Sequence, residues 1–309
     1  MKSVFIDGQA GTTGLKLQSR LEPRTDIRLL TIAPELRKDP AARAALMNQA
    51  DAVFLCLPDE AAVEAVPLVT NPSTVILDAS TAHRTTPGWV YGFPELKPGQ
   101  REAVASAKRI AVPGCHATGF IALVAPLVQS GWLVPSTPLT CHSITGYSGG
   151  GNKMIAEYES DNRSTTLDSP RQYGLSQKHK HLPEMTYVAG LTVPPIFNPI
   201  VCDFYAGMVV SVPLHCSQFE RRSVDPETLM AFYQNYYAGS RFIRVTPPPS
   251  DGFIPANTLT GTNDLVITVV GNNERLTLIA SFDNLGKGAS GAAMQCMNLA
   301  LGFDESAGF

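Results

Sequence analysis

One cysteine of this chain stands where a turn opens into a helix. In the stretch AVPGCHATG, residues 111 to 119, Cys115 follows Pro113 and Gly114 and precedes a run with helical patterning. The first turn of a helix carries uncommitted N–H groups and the positive end of the backbone dipole, so a thiol placed there ionises more readily than usual. Such a thiolate can hold a carbonyl carbon, as a thiohemiacetal with an aldehyde and as a thioester at acyl oxidation level, which is what hydride transfer between the two requires. Cys56, Cys141, Cys202, Cys216 and Cys296 lack this placement and read as small core residues. The absence of any C-x-x-C pair speaks against a disulfide framework or a thiolate zinc site, and for a reducing compartment.

A nucleophile of this kind needs an acid or base beside it. The stretch QKHKHLPE supplies His179 and His181, two apart and close to Glu184. In an extended segment both rings point the same way, so one can serve the thiol and the other substrate or cofactor. Metal binding by the pair needs further ligands that the sequence does not identify, and no metal is expected. An acyl phosphate also asks for anion receptors; Arg84 in DASTAHRT and Lys153 in GYSGGGNK, after a predicted strand end or a glycine turn, are the candidates.

At the start of the chain, VFIDGQAGTTGLKL places Gly8, Gly11 and Gly14 between a short strand and a helix. The G-x-x-G-x-x-G spacing is one residue off the dinucleotide fingerprint but keeps its physics: no Cβ where the chain turns, and a pyrophosphate brought to a helix N-terminus. Beyond the second strand, Arg37 and Lys38 follow where an acid would take a ribose 2′-OH, which suits the extra phosphate of NADP.

These groups need a frame to position them. At 309 residues, 44% hydrophobic, the chain divides more naturally between two domains than around one core. Its 24 Lys and Arg against 27 Asp and Glu offer no basic field for nucleic acid or anionic lipid, and the N-terminus shows neither an export signal nor a membrane span, so a cytoplasmic protein acting on a small molecule is expected. SVFID, IRLLTI, DAVFLCL, TVILD and RIAV read as strands that alternate with helices over 14–21, 40–49 and 59–69, the pattern of βαβ units on a parallel sheet. After a helix over 115–130 come PLTCHSITG, GMVVSVPLH, DLVITVVG and RLTLIASFD, longer strands of a mixed or antiparallel sheet, with VPPIFNP and TPPPS as connectors. The small-residue helix after 287 is expected to pack back on the first domain. The fold class is therefore α/β: a Rossmann-like nucleotide-binding domain from 1–114 plus 287–309, and a second α+β domain over 115–286.

The segments GQAGTTG, LDASTAHR, YGFPEL, VPGCHATG, GYSGGGNK, HKHLPE and DNLGKGASGAAMQCMN, in this order and over nearly the whole chain, resemble the N-acetyl-gamma-glutamyl-phosphate reductases in their shorter form, a family related in fold to aspartate-semialdehyde dehydrogenase. The longer form commonly has Tyr-Pro after the cysteine, where this chain has His116 and Ala117. The resemblance implies an enzyme of arginine biosynthesis that reduces N-acetyl-L-glutamyl 5-phosphate with NADPH to the 5-semialdehyde and releases phosphate, through a thioester on Cys115. It implies an acid/base at His179 or His181, of which His181, directly before the Leu-Pro-Glu turn, is favoured. It further implies a cofactor loop from Gly8 to Gly14 that includes Thr12 and Thr13, and a nicotinamide near Ser80, Asn284, Gly286 and Lys287. Homodimers or homotetramers would form through the second sheet. A related reductase of the aspartyl or aminoadipyl type and a non-catalytic NADP-binding regulator are the alternative readings. The polar segment 164–174 is a candidate lid.

Overall fold

The computed structural model describes residues 1–221 and 224–309. By its contacts the chain divides into two compact units, Met1–Pro94, Pro98–Gly114 and Ala289–Phe309 in one, Glu95–Lys97 and Cys115–Gly288 in the other. The second unit thus ends at Gly288 rather than at 286 and claims Glu95–Lys97. Within that unit a buried ion pair joins the two segments: Lys287 Nζ donates to the two carboxylate oxygens of Glu95 at 2.8 Å, both side chains almost fully enclosed.

In the first unit, β1 (Lys2–Asp7), α1 (Thr12–Leu21), β2 (Ile27–Leu30), α2 (Pro40–Gln49), β3 (Ala52–Leu55), α3 (Asp59–Ala65), β4 (Val75–Asp78), β5 (Val90–Tyr91), α4 (Gln100–Ser106) and β6 (Arg109–Ala111) build a six-stranded sheet in the order β2-β1-β3-β4-β6-β5. Its pairings are all parallel. Val4 and Ile6 join a core with Leu17 and Leu21 of α1 and Met294 of the C-terminal helix Gly291–Leu301, while Phe5, Val53 and Leu55 join one with Met47 of α2. A parallel sheet covered on both faces has no polar side to show, which is why its strands read as unbroken apolar runs. The helix expected over 59–69 stops at Ala65 and passes into a tight turn over Val66–Leu68. Pro67 has no N–H to continue the ladder and its ring crowds the preceding turn.

The second unit holds α5 (Cys115–Gln129), β7 (Thr140–Gly146), α6 (Gly151–Tyr158), β8 (Arg171–Gln172), α7 (Leu182–Val188), β9 (Ile196–Cys202), β10 (Met208–His215), α8 (Pro226–Tyr236), β11 (Ile243–Val245), β12 (Leu265–Gly271) and β13 (Arg275–Phe282). Seven strands run in the order β11-β12-β13-β10-β7-β9-β8, parallel between β11 and β12 and between β7 and β9, antiparallel elsewhere. The stretch VPPIFNP, read above as a connector, contributes the first half of β9. Its alternation, Phe197, Pro199 and Val201 inward, was hidden by prolines; Pro199 has no N–H to donate and takes part through its carbonyl, which accepts from Tyr173 N at 3.0 Å. Within segment 164–174, Thr165–Asp168 form a helical turn, and β8 pairs with β9 through Arg171–Val201 and Gln172–Ile200 at the edge of this sheet.

α5 is buried at every position from His116 to Leu127. Gly119 sets how closely it lies on the sheet: a Cβ there would stand 2.6 Å from Val210 Cγ2 and 2.7 Å from Phe282 Cε1. Pro126 inside the helix withholds the N–H that Ala122 O would accept, and Tyr237 supplies a hydroxyl donor to that carbonyl at 2.7 Å. Tyr233 of α8 donates to the next carbonyl, Leu123 O. Replacing Gly119 with Ala overpacks this contact, and chemical denaturation should show a loss of about 1–3 kcal/mol. An unchanged midpoint would mean that the helix has room to move.

Candidate active site

Cys115 is the first residue of α5, one residue after Gly114. No acidic residue occupies the first turn of α5, so nothing there offsets the positive helix end against a thiolate. The short π-helical turn Gly286–Ser290 comes up against it: a Cβ on Gly288 would meet Cys115 Cβ at 2.9 Å, so only glycine permits this approach. Gly288 was not singled out in the sequence, although the G-K-G pattern around it was a signal for close packing.

The two histidines of HKH do not sit in an extended strand. They lie in a turn that leads into α7, with His181 in helical conformation as its N-cap. The turn still gathers them: the rings of His179 and His181 are 4.9 Å apart, and they stand 5.7 Å and 5.4 Å from the ring of His116. His181 N donates to His179 Nδ1 at 3.2 Å, which makes that nitrogen an acceptor. The sulfur of Cys115 and one ring nitrogen each of His116 and His181 lie within 4.8 Å of one another. These groups line a cavity of about 250 Å³ together with Tyr173, His179, Lys180 and the glycine turn at 149–150.

His116 is the residue that sequence reasoning left without a role. Its Nδ1 is 2.6 Å from Ser143 Oγ on β7 and its Nε2 2.7 Å from Tyr173 Oη at the end of β8. Burial, helped by His179 and Lys180, brings its pKa down to about 3, so it is a neutral spacer tied at both nitrogens. Burial and the charge of Cys115 push the Tyr173 hydroxyl up, keeping it a phenol. His179 is lowered, first by burial and then by Lys180. No sequence spacing links Ser143, His116 and Tyr173; the pairing of β7, β9 and β8 does.

Of the expected anion receptors, Lys153 lies exposed on α6 and does not line the cavity, whereas Lys180, between the two histidines, does. Arg84, in the other unit, is buried; its Nε donates to Val112 O at 2.9 Å and its Nη2 to Ala79 O at 3.2 Å, which fixes the guanidinium plane. Asn284 is also committed internally, accepting from Gly207 N at 2.8 Å and donating to Ser148 Oγ at 3.0 Å, and Lys287 is held by Glu95. A Cβ on Gly286 would stand 2.0 Å from Thr262 O.

In the first unit the glycine loop has the form a dinucleotide needs. Gly8 has φ +86°, and a Cβ there would be 2.2 Å from Cys56 O; Gly11 caps α1, Thr12 and Thr13 open it, and a Cβ on Gly14 would lie 2.7 Å from Gly8 O. The cradle is backbone-lined and its helix start carries no acid, so it fits a pyrophosphate. Asp7, just before it, is paired by Arg43, Nη2 to Oδ2 at 2.6 Å. Arg37 and Lys38 are exposed beyond the carboxyl end of β2, the strand adjacent to β1. Ser80 follows β4 and donates to Asp78 Oδ2 at 2.7 Å, the same oxygen that lies 2.6 Å from His83 Nδ1.

Comparison with known proteins finds relatives over nearly the whole chain. The family model described as the semialdehyde dehydrogenase NAD binding domain matches residues 13–106, and that described as the semialdehyde dehydrogenase dimerisation domain matches residues 115–284. N-acetyl-gamma-glutamyl-phosphate reductase 2 of Nostoc sp. is 48% identical, covering 99% of this chain and 98% of its own length. N-acetyl-gamma-glutamyl-phosphate reductase of Burkholderia cenocepacia is 44% identical, covering 99% of each. In fold, the chain is similar to aspartate semialdehyde dehydrogenase II of Vibrio cholerae complexed with ASA (TM-score 0.70, 14% identity, 97% of this chain and 98% of that one). It is also similar to the Candida albicans aspartate semialdehyde dehydrogenase with NADP (TM-score 0.65, 14% identity, the same coverage).

The thiols differ in a way that can be measured. Burial, with Asp78 and Asp7, pushes Cys56 up to about 12; burial also raises Cys141, Cys202 and Cys216. Limited iodoacetamide at neutral pH should therefore modify Cys115 at least about tenfold faster than any of these four, read by peptide mass spectrometry. Equal labelling of Cys202 or Cys216 would contradict the placement argument.

Proposed function

The chain belongs to the semialdehyde dehydrogenase family, among the N-acetyl-gamma-glutamyl-phosphate reductases, and from this we propose that it reduces N-acetyl-L-glutamyl 5-phosphate to N-acetyl-L-glutamate 5-semialdehyde, releasing phosphate, as a step of arginine biosynthesis. The observation that carries the reading is the sulfur of Cys115 at the start of α5, gathered with His116 and His181 in one cavity.

In the first step the Cys115 thiolate attacks the acyl carbon and the C–O bond to phosphate breaks, leaving a thioester on Cys115. Backbone N–H groups at the start of α5 hold the developing oxyanion, at about 3 kcal/mol per donor. Lys180 on the cavity wall and Arg84 are the cations that would receive the anionic substrate. A nicotinamide dinucleotide held at the Gly8–Gly14 loop would supply the hydride that takes the thioester on Cys115 to a thiohemiacetal. The C–S bond then breaks, the aldehyde leaves, and His181 returns a proton to the sulfur. His181 takes this role over His179 because its ring nitrogen shares the cluster with the sulfur, while His179 Nδ1 is held by the His181 backbone. The neutral His116, tied to Ser143 and Tyr173, fixes the wall against which these groups sit.

The cofactor is a nicotinamide dinucleotide, held by the loop from Gly8 to Gly14 with Thr12 and Thr13. NADP is preferred over NAD through Arg37 and Lys38, and Ser80, Asn284, Gly286 and Lys287 contribute to the nicotinamide surroundings. Ser80 is set by Asp78, and the second unit's residues by their internal bonds. We read the protein as a cytoplasmic homodimer or homotetramer. The dimerisation description of the match over 115–284 supports assembly, and no helix of the described residues is long and apolar enough to cross a membrane.

Two measurements test the reading. Given N-acetylglutamate semialdehyde, phosphate and NADP, the chain should reduce NADP, and Cys115→Ala should lose this by on the order of 10⁴-fold or more while dinucleotide binding stays intact; retained turnover in Cys115→Ala would refute the covalent route. Replacing Arg37 and Lys38 together with Ala should raise KM for NADPH about tenfold with kcat and the NADH rate unchanged, the pattern of a lost 2′-phosphate contact. Equal effects on both dinucleotides would place the discrimination elsewhere.

A further inference from the structure

We propose that the cavity of Cys115 is also a reversible binding site for a thiophilic divalent cation of the zinc type, with Cys115, His116 and His181 as its ligands. One sulfur and two imidazole nitrogens already lie within 4.8 Å of one another. Metal–sulfur and metal–nitrogen bonds of about 2.3 and 2.0 Å place the donors of a tetrahedral site roughly 3.5 Å apart. Closing the cluster therefore takes about 1 Å of side-chain movement, and a water completes the fourth position.

The donor set selects the ion. Two imidazoles and a thiolate suit zinc and its neighbours, and the cavity wall includes no carboxylate, so calcium and magnesium find no oxygen ligands of the kind they require. The outer shell is also built. If His116 ligates through Nε2, it exchanges its bond to Tyr173 for the metal and keeps Nδ1 on Ser143 Oγ at 2.6 Å, the arrangement by which ligating histidines are oriented. His179 stands beside the site with its ring 4.9 Å from that of His181. Lys180 opposes the ion, and the thiolate offsets it. On binding, the thiol proton passes to water as the sulfur–metal bond forms, and nothing is oxidised or reduced.

The ion is a blocker and not a cofactor. It occupies the sulfur lone pair that the thioester needs, so turnover falls as the metal binds and returns with a chelator. The binding claim stands apart from the reaction assigned above, and only the inhibition rests on it.

The test is a titration of the chelator-treated, full-length reduced chain with Co²⁺. One equivalent should produce a sulfur-to-cobalt charge-transfer band and the strong visible absorption of four-coordinate cobalt, both displaced by Zn²⁺. Cys115→Ser should lose the charge-transfer band, and His181→Gln and His116→Asn should each bind at least about tenfold more weakly. Should a variant fail to unfold cooperatively, wild-type chain alkylated at Cys115 takes its place and should lose the band. No charge-transfer band in the wild type, a band that persists in Cys115→Ser, or affinities unchanged in both histidine variants would overturn the site. Turnover measured in chelator on the same preparation separates the two claims. Full turnover without a band overturns the metal site alone, and a band without turnover supports the site while overturning the reductase reading.

Discussion

A helix with no exposed side chain from its second residue to its thirteenth cannot slide or roll without breaking a core, and that constraint holds Cys115 in place. Gly119 lets the helix press onto β10 and β13, and the two tyrosine hydroxyls accept the geometry that Pro126 imposes by bonding the carbonyls it loosens. The sulfur at the head of such a helix inherits a fixed position from packing alone. Catalysis by covalent attack depends on that, because reacting atoms held in near-attack geometry avoid the entropy of finding one another.

The electrostatics follow from the same placement. No carboxylate is among the residues that line the cavity, and a thiolate there meets helix N–H groups, imidazoles and Lys180. His116 contributes no charge. Buried and bonded at both nitrogens, it turns a position next to Cys115 into polar scaffolding that carries no charge. The loop of the first unit has a form that suits a phosphate: glycine where a Cβ would strike backbone, a helix start without acid, and Asp7 paired with Arg43.

Much of this was legible in the sequence, for physical reasons that differ along the chain. The parallel sheet announces itself because strands buried on both faces are apolar throughout, and the cysteine does because Pro-Gly before a helical run marks a helix start. What stayed hidden depends on pairing between distant segments. β9 was masked by its prolines, and the edge position of β8 depends on its pairing with β9. Tyr173 enters the site only because β8 pairs with β9, and Ser143 because β7 lies on the other side. Lys180, between the two histidines, lines the cavity, and Lys153, after the glycine turn, lies exposed on α6.

The claim on which the rest stands is that the acyl group passes through Cys115. Intact and peptide mass spectrometry after brief exposure to the acyl phosphate, with dinucleotide withheld and an acid quench, tests it most directly. One added N-acetylglutamyl group per chain is expected, located on the peptide that contains Cys115 and removed when NADPH is supplied before the quench. An unmodified chain that nevertheless turns over, or an acyl group found on a different cysteine, would contradict it.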